Sequence, residues 1–286
     1  MTGAGRVLRH SIMPVRFRNE EGHRAFDFTL PGGRWKAGVS AMLRVKNEER
    51  RIVDCLASII GVFDQIVVVD NGSTDATLDL VRRFAHEQAT EKIDIHSYPF
   101  TIARCGQENA DTPEFSVHSL AYYYNWCRSR CSRRLVFKWD ADMLLKDGAA
   151  EQLRSRLRLL PWFQPVVVSV PIQTIYHSGR NVFFAARGEV NCEPMIFTNV
   201  AAIRHRKAQR WETLRVHDIP VVRSALSEVL IYEIKDTEID EFSHWTNAEL
   251  FTERKKREWR NFNMVRSGNI PGDAFERVYL GRSGET

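Results

Sequence analysis

The chain has 286 residues, of which 43% are apolar, 10% aromatic and 27% charged; this balance can bury the core of one large α/β domain or two ordinary ones, and it excludes a globally disordered, collagen-like or low-complexity chain. Forty-one Lys and Arg against 36 Asp and Glu leave a net charge of +5, which favours an anionic partner without choosing among nucleic acid, an acidic membrane face and a phosphorylated small molecule. No apolar run approaches the roughly eighteen residues of a membrane span and the N-terminus lacks the apolar middle of a secretory signal, so an intracellular, cytoplasmic address is expected.

Residues 1–36 mix Arg, Gly and Glu without periodicity and close on the turn cluster Leu30-Pro31-Gly32-Gly33, so they are read as an N-terminal extension. Val39, Ala41, Leu43 and Val45 then alternate as a strand does, and Asn47-Glu48-Glu49 opens a helix with Ile52, Val53, Leu56, Ile59 and Ile60 on its apolar side. Gln65-Ile66-Val67-Val68-Val69-Asp70 is an uninterrupted apolar run of the kind shown by a parallel strand covered on both faces. Asn71-Gly72 usually announces a hairpin, but Ser73-Thr74-Asp75 and the helical spacing of Leu78, Val81 and Phe84 turn it into the entry of a capped helix. A strand over 93–95, a helix over 116–130 and a strand over 135–139 follow, the last stopped by Asp140-Ala141-Asp142. The β-α-β-α-β-α-β order predicts an α/β fold with a mainly parallel central sheet flanked by helices and ligands beyond the C-terminal ends of the strands, where Asp70 and Asp140 fall. Beyond Asp142 the spacing predicts a helix over 149–160, a strand over 166–170, less regular text to about residue 240, and a strongly basic helix over 247–264. With no internal repeat and no long linker, residues 37–286 are expected to form a single domain.

Five cysteines (Cys55, Cys105, Cys127, Cys131, Cys192) are odd in number and scattered, unlike a secreted disulfide framework. Cys127 and Cys131 would share a helix face, but no second Cys or His pair stands at zinc-finger spacing, so they are taken as apolar-face thiols. Asp140 and Asp142 can face one cation if the chain turns between them; hard divalent ions take one or two carboxylates and leave their other positions to water and substrate phosphates. Asp-Ala-Asp is also ordinary turn chemistry. Asp70 could accept from a base or ribose while the amides of Gly72 to Thr74 face an anion, or it could simply cap a helix. The glycine-rich dinucleotide fingerprint, the P-loop, the zincin H-E-x-x-H and the nucleophile-elbow G-x-S-x-G are all missing, which weighs against those four enzyme classes.

The segments Val39-Ser40-Ala41-Met42-Leu43-Arg44-Val45-Lys46-Asn47-Glu48-Glu49, Ile66-Val67-Val68-Val69-Asp70-Asn71-Gly72-Ser73-Thr74-Asp75 and Asp140-Ala141-Asp142 resemble, in order and spacing, a family-2 glycosyltransferase of GT-A fold, most closely over residues 37–145. The resemblance implies a nucleoside-diphosphate sugar donor, expected to be a UDP-sugar, an Mn²⁺ or Mg²⁺ ion, and inversion at the anomeric carbon. It assigns residues 37–145 to the nucleotide-binding half and 146–286 to the acceptor half, the acceptor being a saccharide or a glycolipid. Carried over by position, Arg44, Asn47, Glu48, Asp70, Asn71, Asn125 and Asp140 would line the donor pocket, and Asp142 would ligate the metal with Asp140 at or beside it. Asn71-Gly72 departs from the Asp-Gly or Ser-Gly usual in the family.

In the distal half, Met195-Ile196-Phe197 followed by Val216-His217-Asp218 is similar to the subgroup related to lipopolysaccharide-core glucosyltransferases. That similarity makes Asp218 the first candidate for the base that deprotonates the acceptor, with Glu193 and Glu189 in reserve. His244 would complete the metal or diphosphate site. The run Arg254, Lys255, Lys256, Arg257 and Arg260 is either a solvated helix face or an attraction to anionic lipid at the inner membrane face. No nucleic-acid partner is expected, because the basic runs lack interleaved aromatics. Trp211, Trp245 and Trp259 are candidate sugar platforms or core residues. Two rival functions remain on the same fold: a nucleotidyltransferase that makes a sugar nucleotide, which calls for a glycine-rich, lysine-bearing loop unlike Leu43-Arg44-Val45-Lys46-Asn47, and a non-catalytic protein that binds anions or nucleic acid.

Overall fold

Strand-like alternation at residues 36–45 puts Ala41 and Leu43 on one side of a sheet and Met42 on the other, and the two largest hydrophobic clusters among the described residues grow from those two faces. The computed structural model describes residues 13–33, 35–179, 182–238 and 252–280. In chain order its elements are β1 (Val15–Phe17), β2 (Phe28–Leu30), β3 (Lys36–Val45), α1 (Ile52–Ile59), β4 (Gln65–Asp70), α2 (Thr77–Glu87), β5 (Ile93–Ser97), α3 (Gln107–Asp111), α4 (Leu120–Ser129) and β6 (Arg133–Asp140). There follow β7 (Met143–Leu145), α5 (Ala149–Arg158), β8 (Val166–His177), β9 (Phe183–Ala186), β10 (Asn191–Thr198), β11 (Ile203–Lys207), β12 (Glu212–Val216), β13 (Val222–Ala225), β14 (Ile231–Asp236), α6 (Glu253–Arg266) and β15 (Phe275–Val278).

One eleven-stranded sheet runs β15-β9-β8-β10-β6-β3-β4-β5, with β13 and β14 also paired to β8 and β7 paired to β14. The fold is α/β. The quartet β6-β3-β4-β5 is parallel throughout, β13 and β14 run parallel to β8, and β10 runs antiparallel to both β6 and β8, with β9 antiparallel to β8. The reason lies in the connections: parallel neighbours need a crossover long enough for a helix, and the short link from β8 to β9 permits only an antiparallel return, after which the chain keeps its direction and crosses to the other side of β8 as β10. The irregular text before residue 240 thus resolves into β9 to β14. Charged residues on short strands, such as Glu193, Arg204 and Arg206, interrupt the apolar alternation that would have revealed them.

On one face of the sheet, Ala41, Leu43, Ile66, Val68, Phe137 and Trp139 pack against Ile52, Leu56 and Ile59 of α1, Val81 and Phe84 of α2, and Leu153 and Leu157 of α5. On the other, Met42, Val67, Val69 and Val136 meet Tyr122, Tyr123 and Trp126 of α4. All six residues of β4 are buried, as its apolar run requires; each of the aliphatic side chains Ile66, Val67, Val68 and Val69 contributes about 1.5–3 kcal/mol. The described part of the expected extension belongs to this second core. Phe17 and Phe28 stack at 4.8 Å, the Tyr122 hydroxyl donates to the Phe26 carbonyl at 3.0 Å, and Glu21 accepts from Ser116 and the Val117 amide. Because Ser116 is engaged in this way, α4 starts only at Leu120, after its N-cap Ser119. At the start of β3, Gly38 has φ +109° and a Cβ there would overlap the Asp64 carboxylate, which accepts from the Val39 amide at 2.9 Å. Among the described residues no helix is long and apolar enough to cross a membrane.

Candidate active site

The loops after β3 and β4 are fastened to each other by side-chain to backbone hydrogen bonds. Asn47, at φ +57°, accepts from the Thr74 amide at 2.8 Å while its own amide donates to Ser73 Oγ at 2.9 Å. The Glu48 amide donates to Thr77 Oγ1 at 2.7 Å, and Glu49 accepts from the Ala76 amide at 3.1 Å. Asp70, buried at the end of β4, accepts from the amides of Gly72 (3.1 Å) and Ser73 (3.2 Å). The expectation that the Gly72 to Thr74 amides face an anion is therefore corrected: all three donate to Asp70 or Asn47, and α2 begins only at Thr77. Asn71 donates to the carbonyls of Tyr98 (2.9 Å) and Phe100 (2.7 Å), which ties this turn to the segment after β5.

Register sets the next layer. Val45 pairs with Asp70 and Arg44 with Asp140, so Asp70 and Asp140 flank β3 at one rim, about 10 Å apart by strand spacing. Arg44 bonds the Asp140 carboxylate and lies over the Tyr124 ring at 3.8 Å. Burial works against the Arg44 charge, but Asp140 outweighs it and the guanidinium pKa rises above its usual range. Asp140 responds in the opposite sense: burial would raise its pKa, yet Arg44, Lys138 and Lys235 hold it below the usual carboxylate range.

Across the turn, β14 pairs antiparallel with β7 and delivers Lys235, whose Nζ lies 2.8 Å from Asp142 Oδ2 and 3.1 Å from Glu233 Oε1. From α6, Arg254 reaches Glu193, Glu233 and Glu258, and Lys255 reaches Glu258 at 2.7 Å. Lys138 stands 3.9 Å from Glu193. Five carboxylates (Asp140, Asp142, Glu193, Glu233, Glu258) thus interleave with five cations (Arg44, Lys138, Lys235, Arg254, Lys255). Burial, together with Asp142 and Glu258, pushes the Glu233 carboxyl up despite Lys235. Glu258 is the less exposed of the two, yet Lys255 and Arg254 bring its pKa down to about 2. Asp140 and Asp142 each engage their cation through a single oxygen and remain partly exposed, so the oxygen-only, one-or-two-carboxylate donor set of a hard divalent ion fits here.

The other candidates are dispersed. Asn125 is buried in α4, donating to the His205 carbonyl at 2.8 Å and accepting from the His205 amide at 3.0 Å, which clamps β11 to α4. Asp218, exposed and at φ +50°, follows β12 at the end of the β11–β12 hairpin where Ile203 pairs with Val216. At the opposite end of that hairpin Glu212 acts electrostatically on Tyr124. Glu189 meets Arg257 at 3.0 Å and Asn261 at 2.9 Å, on a groove of about 690 Å³ along α6 that Trp259 and Arg260 also line. Trp211 is 41% exposed. His244 and Trp245 lie outside the described residues, as do the first residues of the expected basic helix. Of its cations, Arg254 and Lys255 face inward to the cluster, Arg257 bonds Glu189 and Lys256 bonds Glu253, so four of the five are paired within the protein. Cys127 and Cys131 are buried free thiols, and no group of three or more potential metal-ligating side chains occurs among the described residues.

Sequence reasoning missed Lys138, Lys235, Glu233 and Glu258. Lys138 carries a readable signal, being a cation inside an apolar strand two residues before Asp140. The others come from β14 and α6, whose approach to Asp142 depends on a pairing that no local pattern encodes.

One mixed sheet with a parallel quartet, carboxylates at that quartet's C-terminal rim and the strands β8 to β10 continuing it beyond β6 makes a GT-A-like α/β domain. Residues 40–110, from β3 through α3, match the sequence model of glycosyl transferase family 2. No curated protein matches the chain. Among solved structures it is similar to the mannosyltransferase PcManGT from Pyrobaculum calidifontis in complex with GDP-mannose and Mn²⁺, at 19% identity over 48% of this chain and 39% of that one, TM-score 0.34. It is also similar to glucosyl-3-phosphoglycerate synthase from Mycobacterium tuberculosis in complex with Mn²⁺, UDP and glucosyl-3-phosphoglycerate, at 18% identity over 50% of this chain and 46% of that one, TM-score 0.32. The chain spans less than half the length of each of these proteins.

Proposed function

We propose that the protein is a glycosyltransferase that moves a sugar from a nucleoside-diphosphate sugar, UDP being the expected nucleotide, to a hydroxyl of a saccharide or lipid-linked acceptor, with inversion at the anomeric carbon. The observation that carries this reading is the pair Asp140 and Asp142 at the rim of β6, set in a cluster of equal positive and negative charge beside a segment that matches family 2. An incoming diphosphate adds negative charge to a balanced cluster, so it binds best with a divalent cation, and Asp142 with Asp140 would hold Mn²⁺ or Mg²⁺. Such an ion, when bound, supplies neutralisation of the charge that grows on the leaving diphosphate.

The chain's own residues divide the work. Asp70, Asn47 and Asn71 hold the two loops that would form the floor of the nucleoside pocket, with Arg44 and Glu48 beside them and Asn125 behind. Lys235 and Arg254 are cations that diphosphate oxygens can draw from their carboxylate partners. Glu193, 32% exposed and held beside Lys138 and Arg254 in the charge cluster that contains Asp140 and Asp142, is the proposed base in preference to Asp218 at the far end of its hairpin. It takes the proton of the acceptor hydroxyl as that oxygen bonds the anomeric carbon and the bond to the diphosphate breaks, its electron pair leaving with the phosphate. In this reading residues 37–286 act as one domain, with the donor bound by 37–145 and the acceptor by 146–286.

The test is release of nucleoside diphosphate from UDP-, GDP- and dTDP-sugars with Mn²⁺, alongside thermal shift with the same panel. One sugar nucleotide should be turned over by the protein and not by Asp142→Asn. Indifference to every donor in both assays, or pyrophosphate release from a nucleoside triphosphate and a sugar phosphate, would refute glycosyl transfer.

A further inference from the structure

We propose that the loop between α5 and β8 is an anchor that seats the protein on an anionic lipid bilayer. Leu159, Trp162 and Phe163 are 75%, 79% and 71% exposed, and the Trp162 and Phe163 rings meet edge to face at 5.9 Å. Three large apolar side chains within five residues, all turned to solvent, form the kind of patch that marks a contact surface. The chemistry proposed for the rim of β6 uses none of them.

The loop is presented rigidly. Arg134, at the start of β6, donates through Nη2 to the carbonyls of both Pro161 and Gln164, the latter at 3.1 Å. These two bonds pin the loop on either side of Trp162 and Phe163, so the rings project beyond the scaffold. Behind them stands a collar of arginines: Arg154, Arg156 and Arg158 approach the tip along α5, and from Gln152 to Gln164 the chain carries no acid. Arg154 and Arg156 are steadied by Glu151 and Glu228, and Arg158 is exposed.

An aromatic tip above a basic collar fits the boundary of a bilayer. Trp and Phe sit at headgroup depth, and each arginine near the surface gains from anionic lipid. A second copy of the chain fits poorly, since a two-fold contact through this tip would set each arginine collar against its own image. In the basic helix most of the cations are likewise paired internally, as are Arg154 and Arg156 here; it is the exposed apolar tip beside Arg158 that moves the expected membrane contact from α6 to this loop. Arg134 and Asp140 stand at opposite ends of β6, about 20 Å apart at strand rise. An anchored protein would therefore hold its candidate active site away from the lipid surface.

Full-length protein is to be floated with vesicles of phosphatidylcholine alone and of phosphatidylcholine mixed with phosphatidylglycerol, at low and high salt. Binding is expected to the mixed vesicles only and to weaken with salt. Trp162→Ser combined with Phe163→Ser should lower the partition at least about tenfold, and Arg158→Gln about fivefold. Both variants should keep the parent's thermal unfolding temperature, because the altered side chains lie largely in solvent. Trp162→Phe should still partition but lose the fluorescence quenching that acyl-chain-brominated lipid produces in the parent. No binding to mixed vesicles, or binding untouched by the double substitution, would overturn the proposal. So would a dimer that the double substitution dissociates while vesicles are ignored, which would assign the tip to a second copy. No sugar nucleotide enters these experiments, so their failure leaves the glycosyltransferase reading intact.

Discussion

The two sides of the candidate active site are built from different bonds. On the side of β3 and β4, polar side chains close onto backbone amides and carbonyls: Asp70 to Gly72 and Ser73, Asn47 to Thr74, Asn71 to Tyr98 and Phe100. On the side of β6, β14 and α6, charged side chains close onto one another. A side chain that satisfies a backbone amide cannot leave without stranding it, whereas an ion pair can exchange one partner for another of like charge. The first side is thus preformed and the second is poised to rearrange around an anion.

The strongest test of that contrast is Asp142→Asn. Removing the charge should lower turnover of the sugar nucleotide at least about 100-fold, measured as nucleoside diphosphate release. The urea midpoint should barely move, since Lys235 keeps Glu233 at 3.1 Å. Turnover within about threefold of the parent would deny Asp142 its role, the step being worth far more than that if the reading is right.

Glu258→Gln should act on stability instead. The carboxylate is 2% exposed and holds Arg254 at 2.6 Å and Lys255 at 2.7 Å, so its neutralisation takes from Lys255 its carboxylate and from Arg254 the most buried of its three, and costs about 3 kcal/mol in urea unfolding. The same group sets an acid limb. Its folded pKa of about 2 lies below the ordinary value of 4.5, so the folded state binds fewer protons than the unfolded one; the stabilisation is complete above the ordinary value and is lost as pH falls toward about 2. Thermal unfolding followed downward through that window should drop more steeply for the parent than for Glu258→Gln. Parallel curves would show that Glu258 does not carry the acid sensitivity.

The preformed side was also the legible one. Apolar runs at 39–45 and 65–70 and the carboxylates that end β4 and β6 could be read locally, because a parallel strand covered on both faces writes its burial directly into consecutive residues. The helix over 116–130 was shortened by Ser116, whose hydroxyl belongs to Glu21 across ninety-five positions of chain. What could not be read was the counter-charge. Lys235 and Glu233 reach Asp142 only because β14 pairs with both β7 and β8, and β10, which carries Glu193, shifts register between Pro194 and Ile196. Long-range pairing of short mixed strands leaves no periodic trace.

Asn47 offers the smallest and most discriminating comparison. It combines a left-handed backbone, φ +57°, with a 2.8 Å hydrogen bond from the Thr74 amide. Glycine at this position keeps the backbone and loses the bond, about 1 kcal/mol; alanine loses both and should cost about 2 kcal/mol, the left-handed region adding roughly 1 for a residue with a Cβ. Urea unfolding of Asn47→Gly and Asn47→Ala should therefore rank in that order, and donor KM should rise in step with the lost stability if Asn47 only holds the loop. A KM that rises equally in both variants, whatever their stability, would mean that the amide itself meets the nucleotide, and the side of the site described as a preformed floor would be a binding surface that trades partners like the other.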